Sequence, residues 1–514
     1  MPAVDLILTN ADVITMDTNI KGADFVAISG DKIFTVGKGN DWKLMSGPLT
    51  KVIDCSGKTV IPGFIDAHCH LFGFLRNLLS LDISPEKVKS IEDIKMLISH
   101  KVKTSQPGNW IICTGYNEFY LAEKRHPTRW DLDQVSPDNP VLLAHRSLHS
   151  CVLNTAGLRI ARIDSETPEL PGTLIDRDPV SGEPNGILFE MLPYIREKVL
   201  PPFTQEEIDQ GARLINDHFL SNGVTSCQDA SVTNNPERWK ILYDLYSSDR
   251  FQPRVTMMTG KDNLRRFLCE GRDFWYGERL RLWGLKILLS ESTGSLHPSA
   301  EEITEIVRDM TLQKIPVAIH AITREMVEAV VSAYESIKIE THTNKLRLRI
   351  EHCSECPPDL MERIKYLKPI VVSQPLFIYY SGDRYLSIIE KGSIPWLYRF
   401  KTIAQNGVTI AAGSDCPVVP TVSPLLGIYS AVTRRTRNRQ EFNPEERVSP
   451  FQALTMYTIN AAYAVSEENI KGSITPWKLA DLVVLSDNPL KVEPDGIKDI
   501  KVYMTIIGGK IVWQ

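Results

Sequence analysis

Eight short runs rich in Val and Ile, most of them separated by helical patterns, predict an α/β chain that closes into a (β/α)8 TIM barrel. Two further observations complete the fold class. Both ends of the chain are β-rich while the middle is not, which predicts one small β-sandwich domain built from both termini. The first barrel run ends at His70 and the second begins only at Gly223, far beyond a normal βα connection, which predicts a large insertion after strand one.

The elements follow in chain order. Residues 1–61 alternate strand-like runs ("DLILTNADVITMD", "DFVAISGDKIFTVG", "KTVIPG") with turns and form the N-terminal part of the sandwich. Barrel strand one lies within 62–75. Residues 76–200 are the insertion, with a strand of their own ("NPVLLAHR") and turn clusters such as "LPGTLIDRDPVSGEPNG". An insertion at that point of a barrel sits at the C-terminal mouth, as a lid or substrate-binding wall. The barrel resumes over 201–467 with "GVTSCQDA", "PRVTMMT", "LWGLKILLS", "IPVAIHAI", "LRLRIEHC", "PIVVSQP" and "VTIAAGSD". Thr204 with Glu207, and Ser299 with Glu302, stand at capping-box spacing ahead of helical patterns. Gly223 and Gly407 each follow a helix and precede a strand, as left-handed caps do. Residues 468–514 complete the sandwich. A doubly wound open sheet is the alternative architecture, but no GxGxxG follows an early strand.

Composition narrows the function classes. A net charge of −5 without an extended basic patch argues against nucleic acid as a partner. No window approaches 18 consecutive apolar residues, so no membrane span is expected, and the first residues lack the pattern of a secretory signal. The nine scattered cysteines, an odd number, suit reduced thiols and a cytoplasmic location. Cys353 and Cys356 have CxxC spacing, but no second pair completes a structural zinc site, so buried thiols are expected.

The chemistry concentrates at strand ends. His68 and His70 are two residues apart in a strand and point to the same side. A single buried histidine is usually a hydrogen-bonded core residue; two on one face point towards a metal. His320, His352 and Asp415 also terminate apolar runs, so four of the eleven histidines fall at predicted strand ends. Imidazole nitrogen with carboxylate oxygen suits zinc, manganese, iron or nickel. Lys286 lies in the middle of an apolar run, where desolvation favours the neutral amine. That amine can add carbon dioxide to give a carbamate that bridges two cations; a lysine reaching a polar partner is the alternative. After strand seven, "QPLFIYYSGDRY" places Phe377, Tyr379 and Tyr380 at the barrel mouth, to line an apolar pocket or to pack the core. A separate zinc site at His145 and His149 needs helical spacing in a segment that reads as a strand. His126 and His342 are expected to be solvated in polar loops.

The order HxH on strand one, Lys on strand four, His on strands five and six and Asp on strand eight resembles the amidohydrolase superfamily. The segments "PGFIDAHCH", "RIEHC", "GSDCPV", "INAAYA", "GSITPWKLADLVVLSDNPL" and "TIIGGKIV" look like amidohydrolase family 3, the branch that contains N-substituted formamide deformylase-like enzymes. The resemblance covers nearly the whole chain. It implies a metal-dependent hydrolase of a non-peptide carbon–nitrogen bond, such as that of an N-substituted formamide or N-acyl compound. It also implies His68, His70, Lys286, His320, His352 and Asp415 as ligands of two divalent cations, zinc being expected, with Lys286 carboxylated by carbon dioxide. A metal-bound hydroxide then attacks the carbonyl carbon while Asp415 shuttles the proton. His149 in "HRSLHSCVLN" resembles the family's Gly-His segment, a donor to the substrate carbonyl; a surface or structural histidine is the alternative. Tyr116 and Glu118 in "GYNE" stand where relatives have Gly-Trp-Asp-Glu, and shape the pocket. One departure is Arg324, where relatives carry an acidic residue. A small-molecule amide substrate and a homo-oligomer, a dimer or larger, are expected. Two alternatives keep the barrel: a deaminase or ester or lactone hydrolase, and a non-catalytic assembly protein. All six ligand positions are filled, which weighs against the last.

Overall fold

The computed structural model describes residues 4–270, 275–291, 294–341 and 347–514. The chain divides into two compact units: Met1–His70 with Ile215–Leu288 and Ala300–Gln514, and Leu71–Leu214 with Leu289–Ser299.

In the first unit all eight predicted runs are strands of one sheet. They are β1 (Phe64–Cys69), β2 (Val224–Asp229), β3 (Arg254–Thr259), β4 (Leu280–Ile287), β5 (Val317–Ala321), β6 (Arg349–His352), β7 (Ile370–Ser373) and β8 (Ile410–Ala412). Each pairs in parallel with its neighbour in sequence. A short segment, Trp275–Tyr276, adds to β4 in antiparallel fashion. The sheet is nearly closed, because β1 and β8 meet just beyond their ends. Asp415 N–H donates to the His68 carbonyl at 2.7 Å, and His70 N–H to the Cys416 carbonyl at 2.9 Å. Gly413 permits this approach: a Cβ there would lie 2.4 Å from His68 N. Strand eight was expected to reach Asp415; it stops at Ala412, and Gly413 and Ser414 carry the chain across to β1.

Period-two alternation sets the inner face. Ile65 and Ala67 pack outward against Ala461, Ala462 and Ala464, so Asp66 and His68 turn inward. Two of the helices between strands end in the glycine caps their sequences suggest. Gly223 and Gly407 have φ of 73° and 69°, the left-handed conformation expected after a helix. The aromatic segment after β7, Pro375–Ile388, is an α-helix opened by a proline.

The two chain ends meet in strand pairing. One four-stranded sheet holds Leu6–Thr9, Phe25–Ser29, Lys32–Gly37 and Lys51–Asp54. A five-stranded sheet joins Asp12–Val13 and Thr59–Pro62 to Leu482–Leu485, Val502–Ile507 and Lys510–Trp513. Leu6, Leu8, Val26 and Ile28 of the first share one apolar core with Val60, Leu482, Val484 and Ile506 of the second.

The second unit contains a six-stranded mixed sheet in the order Leu174–Arg177, Pro184–Phe189, Ser150–Leu153, Val141–His145, Ile111–Tyr116, Leu81–Asp82. Only the fourth of these, "NPVLLAHR", was legible as a strand. Its two faces enter different cores, Val141 and Leu143 one and Leu142 and Ala144 the other, so it reads as a continuous apolar run. The capping box at Thr204 and Glu207 forms as expected.

Among the described residues no helix is long and apolar enough to cross a membrane. All nine cysteines are free thiols, Cys353 and Cys356 buried among them.

Candidate metal centre

The strand ends bring the predicted ligands together. One ligand atom from each of His68, His352 and Asp415 lies within 4.8 Å of the others, and all three residues are buried. His70 joins through Asp415, its Nε2 being 3.0 Å from Oδ1. The His320 ring stands edge-on to His352, with centroids 4.5 Å apart. Lys286 is buried on β4, and its Nζ has no hydrogen-bond partner among the described residues.

Alternation alone does not explain β6. Arg349 and Glu351 face inward, so His352 belongs on the outer face. It reaches the cluster because its backbone turns left-handed, with φ of 70°. A conformation that disfavours most side chains is thus held at the position of a ligand. Asp415, at φ of 59°, is a second case.

The partners of the imidazoles fix which nitrogen carries the proton. His68 Nδ1 is 2.5 Å from the carboxylate of Glu351, which can only accept. His352 Nδ1 is 2.7 Å from the amide oxygen of Gln374. His70 Nδ1 is 3.0 Å from Ser231 Oγ, whose own hydroxyl donates to Asp229 at 2.6 Å and so leaves a lone pair for His70. Each ring is therefore protonated on Nδ1 and presents an Nε2 lone pair. Those of His68 and His70 lie 3.5 and 3.0 Å from Asp415 Oδ1. That oxygen is buried and has no aligned hydrogen bond. Buried acceptors that face one another without a donor repel, and a cation placed between them resolves the conflict.

The charges agree with this geometry. Burial, and then Lys286, pull the His68 pKa down to about 3. Burial pulls His352 down to about 4. Burial works to raise Asp415, but nearby His70, His68 and His352 outweigh it and hold the carboxylate below its usual range. Burial lowers Lys286 to about 8, against the pull of Glu351 and Asp415. The donor set therefore fits a divalent cation: His68 and His352 are held neutral, Asp415 ionised, and burial loosens the proton of Lys286.

Glu351, Arg349, Gln374 and Ser231 were not singled out from sequence. Arg349 and Glu351 did leave a signal, as charged residues at alternate positions of an otherwise apolar strand. The aromatics separate. Phe377 is buried and stacks on His352, at 6.3 Å between centroids. Tyr379 is half-buried against Tyr380 and Tyr429. Arg324, the departure from the family's pattern, is exposed and pairs with Asp359 at 3.0 Å.

The remaining candidates belong to the second unit. Tyr116 is fully buried, with its hydroxyl 3.0 Å from His126 Nδ1. His126, expected to be solvated, is instead half-buried against Tyr116, because a strand end and not an open loop receives it. Glu118 Oε2 lies 2.9 Å from His145 Nε2. His149 Nδ1 lies 2.9 Å from Glu190, which also accepts from Ser290 Oγ at 3.2 Å. His145 and His149 thus take separate partners. His342 lies outside the described residues.

Comparison with known proteins gives a consistent picture. The Amidohydrolase family profile matches residues 51–513. The chain is 27% identical to an N-substituted formamide deformylase from Arthrobacter pascens, over 99% of this chain and 98% of that one. It is 28% identical to the putative amidohydrolase YtcJ of Bacillus subtilis, over 91% of each. An uncharacterized metal-dependent hydrolase from Pyrococcus furiosus superimposes with a TM-score of 0.73 at 27% identity, covering 95% of this chain and 100% of that one.

Proposed function

The chain belongs to the amidohydrolase family and is a hydrolase acting on carbon–nitrogen bonds; on that premise we propose that it is a metal-dependent enzyme cleaving a non-peptide amide, with N-substituted formamides and N-acyl compounds as the substrate class. The observation that carries this is the all-acceptor cluster: imidazole lone pairs and the Asp415 carboxylate converge in a buried space. His68, His70, His320, His352 and Asp415 would hold the metal, and Lys286, as a carbamate, would join them across two ions, zinc being the expected metal. When bound, such an ion supplies an acidified water as nucleophile and a Lewis acid for the carbonyl.

The protein's own groups do the rest. Asp415, held ionised, takes the proton of the attacking water and passes it to the leaving nitrogen. Phe377 packs behind His352 and limits water around it. Tyr116, Glu118, His149, Phe377 and Tyr379 are assigned to the substrate side, with His149 as the donor to the carbonyl. Its Nδ1 is held by Glu190. The division of the chain is part of the same proposal: residues 1–61 and 468–514 as a β-sandwich, supported by their shared core, and 76–200 as an insertion subdomain. So are a cytoplasmic location, supported by the free thiols, and a homo-oligomeric state.

The test is metal analysis of protein purified without chelator, joined to an activity screen over N-formyl amines, N-acyl amino acids and cyclic amides. Bound divalent metal with turnover of one class is expected. Metal-free protein without restored activity on zinc addition would refute the assignment.

A further inference from the structure

Among the candidate metal ligands, the three imidazoles with identified Nδ1 partners are not held alike. His352 is held by a neutral amide and His70 by a hydroxyl. Only His68 is held directly by a carboxylate, and at the shortest distance, 2.5 Å. Glu351 is fully buried, and so is Arg349, which grips both of its oxygens at 2.7 and 3.0 Å. Arg349 also donates to Gln228 Oε1 at 2.6 Å and to the Ala67 carbonyl, beside His68, at 2.9 Å. One guanidinium therefore fixes the carboxylate and also the strand that carries the imidazole. Buried ion pairs of this kind seldom add net stability over apolar packing, so the retained charge calls for another role.

We propose that Arg349 and Glu351 are a positioning pair that makes His68 the anchoring ligand of the metal centre. A carboxylate behind an imidazole fixes its tautomer and raises its basicity as a ligand more than an amide or a hydroxyl does. His68 then holds the ion most tightly, and His70 and His352 complete its shell. This rests on the metal-centre assignment above.

The experiment compares wild type, Glu351→Gln, the double variant Arg349→Met with Glu351→Gln, and Ser231→Ala. Each is titrated with cobalt(II) and zinc against a competing chelator, and the visible absorption of the cobalt form is recorded. Glu351→Gln and the double variant should bind metal about 10- to 100-fold more weakly, with an altered cobalt spectrum, while Ser231→Ala loses less. The double variant leaves no unpaired buried charge, so it decides the matter if Glu351→Gln fails to fold. Wild-type affinity in the double variant overturns the proposal, as does a loss in Ser231→Ala as large as in Glu351→Gln. A wild-type protein that binds no metal refutes instead the assignment beneath it.

Discussion

Two regions of this chain gather histidines and carboxylates, and they do so in opposite ways. In the second unit His145 lies against the Glu118 carboxylate and His149 against that of Glu190. His145 accepts at Nδ1 from the Ser147 N–H at 3.1 Å, so its protonated Nε2 faces Glu118. His149 donates from Nδ1 to Glu190. His149 and Glu190 meet as donor and acceptor, and His145 Nε2 lies 2.9 Å from Glu118 Oε2 without an aligned hydrogen bond. At the barrel strand ends the protons point away from the centre, to Glu351, Gln374 and Ser231, and lone pairs are left facing a carboxylate. The difference teaches that a metal site is marked by the direction of its donors and not by the number of its histidines.

The comparison can be broken at either side. The largest effect is expected from Asp415→Asn. It removes the charge the lone pairs converge on and the group that carries the proton, so turnover of an N-formyl amine should fall by about 10²- to 10⁴-fold. Wild-type turnover would place the barrel cluster with the self-sufficient pairs. Lys286→Ala comes next. Metal affinity should fall by at least the about 10- to 100-fold of an outer-shell change, with partial recovery of metal content and activity on adding a short carboxylic acid. No change in metal content would leave Lys286 a structural residue.

The smallest effect belongs to the other region and is read as stability. Burial disfavours the Glu118 charge, but His145 outweighs it and lowers the pKa to about 2 from the ordinary 4.5. A depressed carboxylate stabilises the fold above its unfolded pKa and loses that contribution as pH falls towards the folded value. Glu118→Gln should therefore be less stable at pH 7 by about 1 kcal/mol after solvent screening. The gap should close between about pH 4.5 and 2. Denaturant melts across that range measure it, and a pH-independent gap would contradict the pairing.

The eight barrel strands were legible because each is a short apolar run buried on a regular face. His68 and His70 were legible because two residues is the strand period. His352 was found from its place at the end of a run, but no pattern showed that both it and Glu351 reach the centre. That depends on a left-handed residue, which alternation does not encode. The sheet of the second unit was mostly hidden, since strands such as Leu174–Arg177 and Pro184–Phe189 are short and interrupted by turn residues.

By itself the sequence determined the barrel, the pairing-competent ends and the identity of the ligand-forming side chains, because these follow from periodicity and residue chemistry within short segments. Only the tertiary structure decided which nitrogen of each imidazole faces inward. Glu351 and Ser231 lie 283 and 161 residues from the histidines they orient. A ring's proton is placed by whatever acceptor the fold brings beside it, and no local pattern carries that information.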